Sequence, residues 1–142
     1  MANYFQGVEL QKTNGSKHST DVLKDKIVGI YFSAHWCPPC RMFTPILKDF
    51  YNELKDSEEF EVVFVSFDRS SQDLQNYLSE SHGDWYHVPF GSDKIKELSQ
   101  KFEVSGIPAL VIVKPDGTIV TKEGRGSVQG KNPQNVLRQW KA

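Results

Sequence analysis

A single α/β domain in three layers, with a mixed central sheet, helices on both faces and an N-terminal β-hairpin, is what the 142-residue sequence predicts. Three observations predict it. The nearly continuous apolar run Ile27-Val28-Gly29-Ile30-Tyr31-Phe32 leads into a helical pattern that begins at Pro38. Residues 61–67 (EVVFVSF) repeat that strand-then-helix order, and Lys114-Pro115-Asp116-Gly117 separates two further apolar runs. Unbroken apolar runs suit strands buried on both faces, strand-helix-strand order implies parallel neighbours, and a Pro-Asp-Gly turn closes an antiparallel pair.

The opening MANYFQG resembles what an engineered cleavage tag leaves behind, so residues 1–7 are set aside and 8–142 read as one domain. Asn14-Gly15, which tolerates positive φ, makes residues 8–12 and 17–19 an edge hairpin. Thr20 or Asp21 caps a brief helical turn through Leu23. Phe43, Ile46, Leu47, Phe50, Tyr51 and Leu54 recur at helical spacing, with Pro45 expected to kink the helix. Leu74, Tyr77 and Leu78 mark a second helix, and residues 95–102 a third, capped by Ser92 or Asp93. Gly106-Ile107-Pro108 opens a strand at 109–113, and residues 118–121 return antiparallel to it. The glycine-rich stretch 124–130 reads as a loop without phosphate-binding spacing. Asn132-Pro133 starts a last helix whose apolar face is Val136, Leu137 and Trp140.

Seventeen basic against 18 acidic side chains leave a net charge of -1, which excludes a basic nucleic-acid face and a polybasic membrane patch. No apolar run approaches the roughly 20 residues of a membrane span, and no signal-peptide core is visible, so a cytosolic or nuclear location is expected. Two cysteines cannot build the framework of a small secreted scaffold, and in a reducing compartment such a pair does chemistry or binds metal.

Both cysteines stand in Trp36-Cys37-Pro38-Pro39-Cys40-Arg41, where a buried strand meets an amphipathic helix. A thiolate at a helix N-terminus faces unpaired backbone N–H groups and the positive end of the dipole, so Cys37 is the more nucleophilic candidate. Cys40 follows one turn later, placed to attack a mixed disulfide on Cys37 intramolecularly. Pro38 and Pro39 fix φ and remove two N–H donors, which tunes the pair. Two other readings stay open. Zinc needs four ligands, and only His18, His35, His82, His87 and carboxylates remain, none closely paired. An inert structural pair fits poorly with so electropositive a position.

With these residues in view, the chain resembles the thioredoxin superfamily from about Val8 onward, and Trp36-Cys37-Pro38-Pro39-Cys40 with Ser66-Phe67-Asp68-Arg69-Ser70 is most similar to tryparedoxins and nucleoredoxins. The resemblance implies a thioredoxin-like fold and a thiol-disulfide oxidoreductase that reduces protein disulfides. Cys37 would be the attacking and Cys40 the resolving thiol, with Trp36 flanking them. It also implies a cis peptide between Ile107 and Pro108, whose exposed backbone groups pair with substrate. No metal or organic cofactor is expected; the expected partners of this monomer are protein disulfides and a thiol electron donor. Where ordinary thioredoxins bury an aspartate this chain has Tyr31, and where they place a lysine it has Phe64, so no base is assigned to the Cys40 proton. A redox-gated binding module of nucleoredoxin type is the alternative, and a peroxidase is disfavoured because no third thiol resolves it.

Other candidates carry weaker expectations. His35 and Arg41 flank the pair, either stabilising a thiolate or pointing to solvent. Asp68 and Arg69 leave the sheet edge that delivers Cys37, where a turn with a helix cap is the simpler account. Trp85, Tyr86 and Phe90 offer either a recognition surface or satellite core, and His18, His82 and His87 read as surface residues.

Overall fold

The computed structural model describes residues 4–5 and 7–142. The strands are β1 (Leu10–Gln11), β2 (Lys17–His18), β3 (Ile27–Ser33), β4 (Phe60–Ser66), β5 (Tyr86–His87), β6 (Ala109–Val113) and β7 (Ile119–Thr121). The helices are α1 (Pro38–Leu54), α2 (Ser71–Ser81), α3 (Asp93–Lys101), α4 (Gly124–Val128) and α5 (Pro133–Lys141), with short 3-10 turns at Thr20–Leu23 and Lys55–Ser57. One sheet holds all seven strands in the order β2-β1-β5-β4-β3-β6-β7. The β3–β4 and β4–β5 pairs are parallel; β3–β6, β6–β7, β1–β2 and β1–β5 are antiparallel. The N-terminal hairpin therefore occupies one edge and the β6–β7 hairpin the other.

Period-2 alternation in β3 sorts the two halves of the core. Ile27 and Tyr31 face a layer built from α1, α2, α4 and α5, where Leu47, Phe50, Tyr77, Val128 and Trp140 pack. Val28, Ile30 and Phe32 face the opposite layer with Leu23, Leu98 and Phe102. Each such fully buried side chain contributes roughly 1.5–3 kcal/mol relative to exposure. Helix starts follow local chemistry: Ser70, Ser92 and Asn132 each accept a first-turn N–H with the side chain, and Pro133 stands at the first helical position. α1 runs unbroken through Pro45.

Several expectations change. Tyr4 and Phe5, set aside with the tag-like opening, are part of the fold: Phe5 is fully buried, and the Tyr4 hydroxyl donates to the Gly117 carbonyl at 2.6 Å. The other residues of that opening, Met1, Ala2, Asn3 and Gln6, lie outside the described residues, except Gly7, which is described. The glycine-rich stretch contains the short helix α4 rather than a plain loop. Gly124 permits it, since a Cβ there would lie 2.9 Å from the Leu110 carbonyl oxygen. The connection after α2 contributes β5, a two-residue strand too short to show alternation.

The histidine reading is also corrected in part. His82 and His87 are buried, not surface residues. Trp85 Nε1 donates to His82 Nδ1 at 3.0 Å, which leaves the ring proton on Nε2, against the Phe64 and Tyr77 rings with centroids 4.3 Å away. Burial pushes the His82 pKa down to about 3, so this imidazole is neutral. Trp85 and Tyr86 are core, while Phe90 is exposed.

Candidate active site

The elements around the two sulfurs gather at the sheet edge where β3 and β4 end and the antiparallel β6 begins. β3 ends at Ser33, and the loop 34–36 turns the chain into α1 with Cys37 as its N-cap residue. Asp68, just past the parallel neighbour β4, fixes that turn: one carboxylate oxygen accepts from the His35 backbone N–H at 2.7 Å and the other from the Ser66 hydroxyl at 2.6 Å. Ser70, not Asp68, caps α2. The Asp68 side chain thus holds the loop that carries Trp36 and Cys37.

Cys37 and Cys40 are joined as a disulfide with their Cα atoms 5.2 Å apart. Cys37 is 5% exposed and Cys40 0%, so the expected order of accessibility holds while both sulfurs sit below the surface. First-turn donors are few: Pro38 and Pro39 have none, and the Arg41 amide donates to the Cys37 carbonyl. The Cys40 amide is the first-turn donor left for a Cys37 thiolate.

Across from the pair, the Ile107–Pro108 peptide is cis, and the Ile107 carbonyl oxygen lies 3.7 Å from Cys37 Sγ. Arg125, on the unforeseen helix α4, donates to the Pro108 carbonyl at 3.2 Å and holds that loop from the other side. Trp36, 45% exposed, donates Nε1–H to the Phe67 carbonyl, and the Arg69 guanidinium lies 4.9 Å from its ring. Pro38, Pro39 and Arg41 are exposed beside it. The His35 ring turns toward α2 and meets the Glu80 carboxylate at 2.6 Å.

Beneath Cys40 lies a cluster of four hydroxyls. Tyr31 OH and Tyr77 OH each lie 2.6 Å from Thr44 Oγ1, Ser33 Oγ lies 2.5 Å from Tyr77 OH, and Thr44 donates to the Cys40 carbonyl at 2.9 Å. Burial pushes both tyrosines above their ordinary pKa, so neither supplies a base at neutral pH. Sequence reasoning reached Tyr31 alone. Thr44 is signalled only by its position four residues after Cys40, and Tyr77 reads as one more core residue of a helical stripe. Among the described residues no group of three or more His, Cys, Asp or Glu side chains is placed to hold a metal ion, and no helix is long and apolar enough to cross a membrane.

Comparison with known proteins bears on the same segment. Residues 25–119, which include both cysteines and Pro108, match the thioredoxin-like family. Mouse (Mus musculus) nucleoredoxin is 39% identical over 121 residues, covering 84% of this chain and 27% of that protein. The chain thus spans about a quarter of the length of the nucleoredoxins it matches. Among solved structures, thioredoxin from Wuchereria bancrofti is 54% identical with a TM-score of 0.84, covering 96% of this chain and 95% of that one. Tryparedoxin II complexed with glutathionylspermidine is 36% identical with a TM-score of 0.82, covering 89% and 88%. The matched segment, the shared fold and the strand-to-helix dithiol agree, and the chain belongs to the thioredoxin-like family of oxidoreductases.

Proposed function

We propose that this domain reduces protein disulfides through a Cys37–Cys40 dithiol/disulfide cycle. One observation carries the reading: a sulfur pair at a helix start, with the first member at the lip beside the Ile107 carbonyl and the second fully buried behind it. The Cys37 thiolate attacks a substrate disulfide, one substrate thiolate leaves, and Cys40 then displaces the other from Cys37. Extended substrate backbone pairs with the groups around Ile107 as a short added strand, while Trp36, Pro38 and Pro39 form the surface it crosses. Electrons return from a thiol donor, and the setting is cytosolic or nuclear, with the domain acting as a monomer.

The test is reduction of insulin disulfides with dithiothreitol as donor. The domain is expected to shorten the lag before insulin precipitates in proportion to its concentration. A rate equal to dithiothreitol alone would contradict the reading, and would turn attention to redox-gated binding.

A further inference from the structure

The hydroxyl cluster converges on the Cys40 carbonyl. The Cys40 carbonyl has no proton to give; the Thr44 hydroxyl donates to it at 2.9 Å, and the Tyr31 hydroxyl is a second, longer donor at 3.4 Å. With the Thr44 proton on that carbonyl, Thr44 Oγ1 accepts from Tyr77 and Tyr77 accepts from Ser33, while Tyr31 OH stands 2.6 Å from the same threonine oxygen. The chain of hydrogen bonds ends on the peptide of Cys40. It ties β3, α2 and the first turns of α1 to a single atom, in a place closed to water: Ser33, Tyr31, Thr44 and Tyr77 are all fully buried.

Resting on the dithiol reading, we propose that Thr44 is the positioning residue of the resolving step, holding the Cys40 backbone so that its sulfur meets Cys37. A threonine bonding back to the carbonyl four residues earlier is ordinary in helices. Here two tyrosine hydroxyls also lie 2.6 Å from that oxygen, which holds it in place and makes it the junction of three elements. The cluster is uncharged and takes no proton in the step. Cys40 gives its proton to solvent, its sulfur bonds to the Cys37 sulfur, and the bond from Cys37 to the substrate sulfur breaks, releasing a thiolate with the electron pair.

The reduced domain mixed with the aromatic disulfide 5,5′-dithiobis(2-nitrobenzoate) separates the steps. Cys37 attack releases one thionitrobenzoate at a rate set by reagent concentration; Cys40 closure releases the second independently of it. In Thr44→Val the first phase is expected unchanged and the second slower by about tenfold, since small misplacements of reacting groups are costly. Thr44→Ser should restore it, and the pH midpoint of the second phase should not move. An unchanged second phase, or a displaced midpoint, would overturn the proposal. Should Thr44→Val fail to fold, Tyr77→Phe decides: it preserves volume but removes one donor to Thr44, and an unchanged second phase there overturns the proposal equally. Wild-type protein that releases the second equivalent only slowly would instead contradict the dithiol reading itself.

Discussion

Cys37→Ser is expected to bring insulin reduction down to the dithiothreitol background, a loss of about a hundredfold or more, whereas Cys40→Ser should retain the first chemical step and stall. The asymmetry follows from position. Cys37 caps α1 at the lip of the site, next to the Cys40 amide and the Ile107 carbonyl, and Cys40 is sealed behind it. A serine hydroxyl at 37 is too weakly acidic to attack a disulfide. With serine at 40, the mixed disulfide on Cys37 loses its intramolecular resolver, and effective molarities of such arrangements reach about 10⁵ M or more. Substrate should therefore remain attached, visible on non-reducing gels and released by dithiothreitol. Full activity in Cys37→Ser would remove the basis of the mechanism.

Tyr31→Asp, which places an acid where thioredoxins bury one, is expected to cost most of the fold's stability. Tyr31 is fully buried, with ring centroids of Phe43 at 5.7 Å, Phe64 at 5.9 Å and His82 at 6.3 Å. Truncating a buried aromatic costs about 3–5 kcal/mol through lost burial and a cavity. A carboxyl left short of partners adds about 1–3 kcal/mol, against a total stability of about 5–15 kcal/mol for a domain. Tyr31→Phe keeps the ring and loses the hydroxyl's contacts to Thr44 and to the Cys40 carbonyl, so about 1–2 kcal/mol is expected. Urea unfolding of both variants checks this: a Tyr31→Asp midpoint near that of wild type would show that the aromatic packing around position 31 is replaceable.

These expectations differ in how visible they were beforehand. The cysteine pair stands within four residues, and its flanking strand and helix announce themselves by a continuous apolar run and a 3.6-residue stripe, both of them local patterns. The hydroxyl cluster depends on register across β3, α1 and α2, and nothing about Tyr77 or Ser33 in isolation marks them as partners of Thr44. Arg125 stayed hidden because two of the five residues in α4 are glycine, and the reason for one of them, the close approach of Gly124 to Leu110, exists only in the folded chain. His82 looked polar and therefore exposed, yet the Trp85 donor and surrounding rings make a neutral imidazole acceptable in the core. Tyr4 and Phe5 were missed for a different reason: a resemblance at the level of letters outweighed their apolar character.

The proposed transfer of electrons from this dithiol to protein disulfides stands or falls on the reduction potential of the pair. Equilibration of the Cys37–Cys40 couple against dithiothreitol and glutathione redox buffers, with trapping of free thiols, should return a value between about −270 and −200 mV, the range of reducing dithiol proteins. A value near about −120 mV, where the reduced form is so favoured that the disulfide acts as an oxidant, would contradict it.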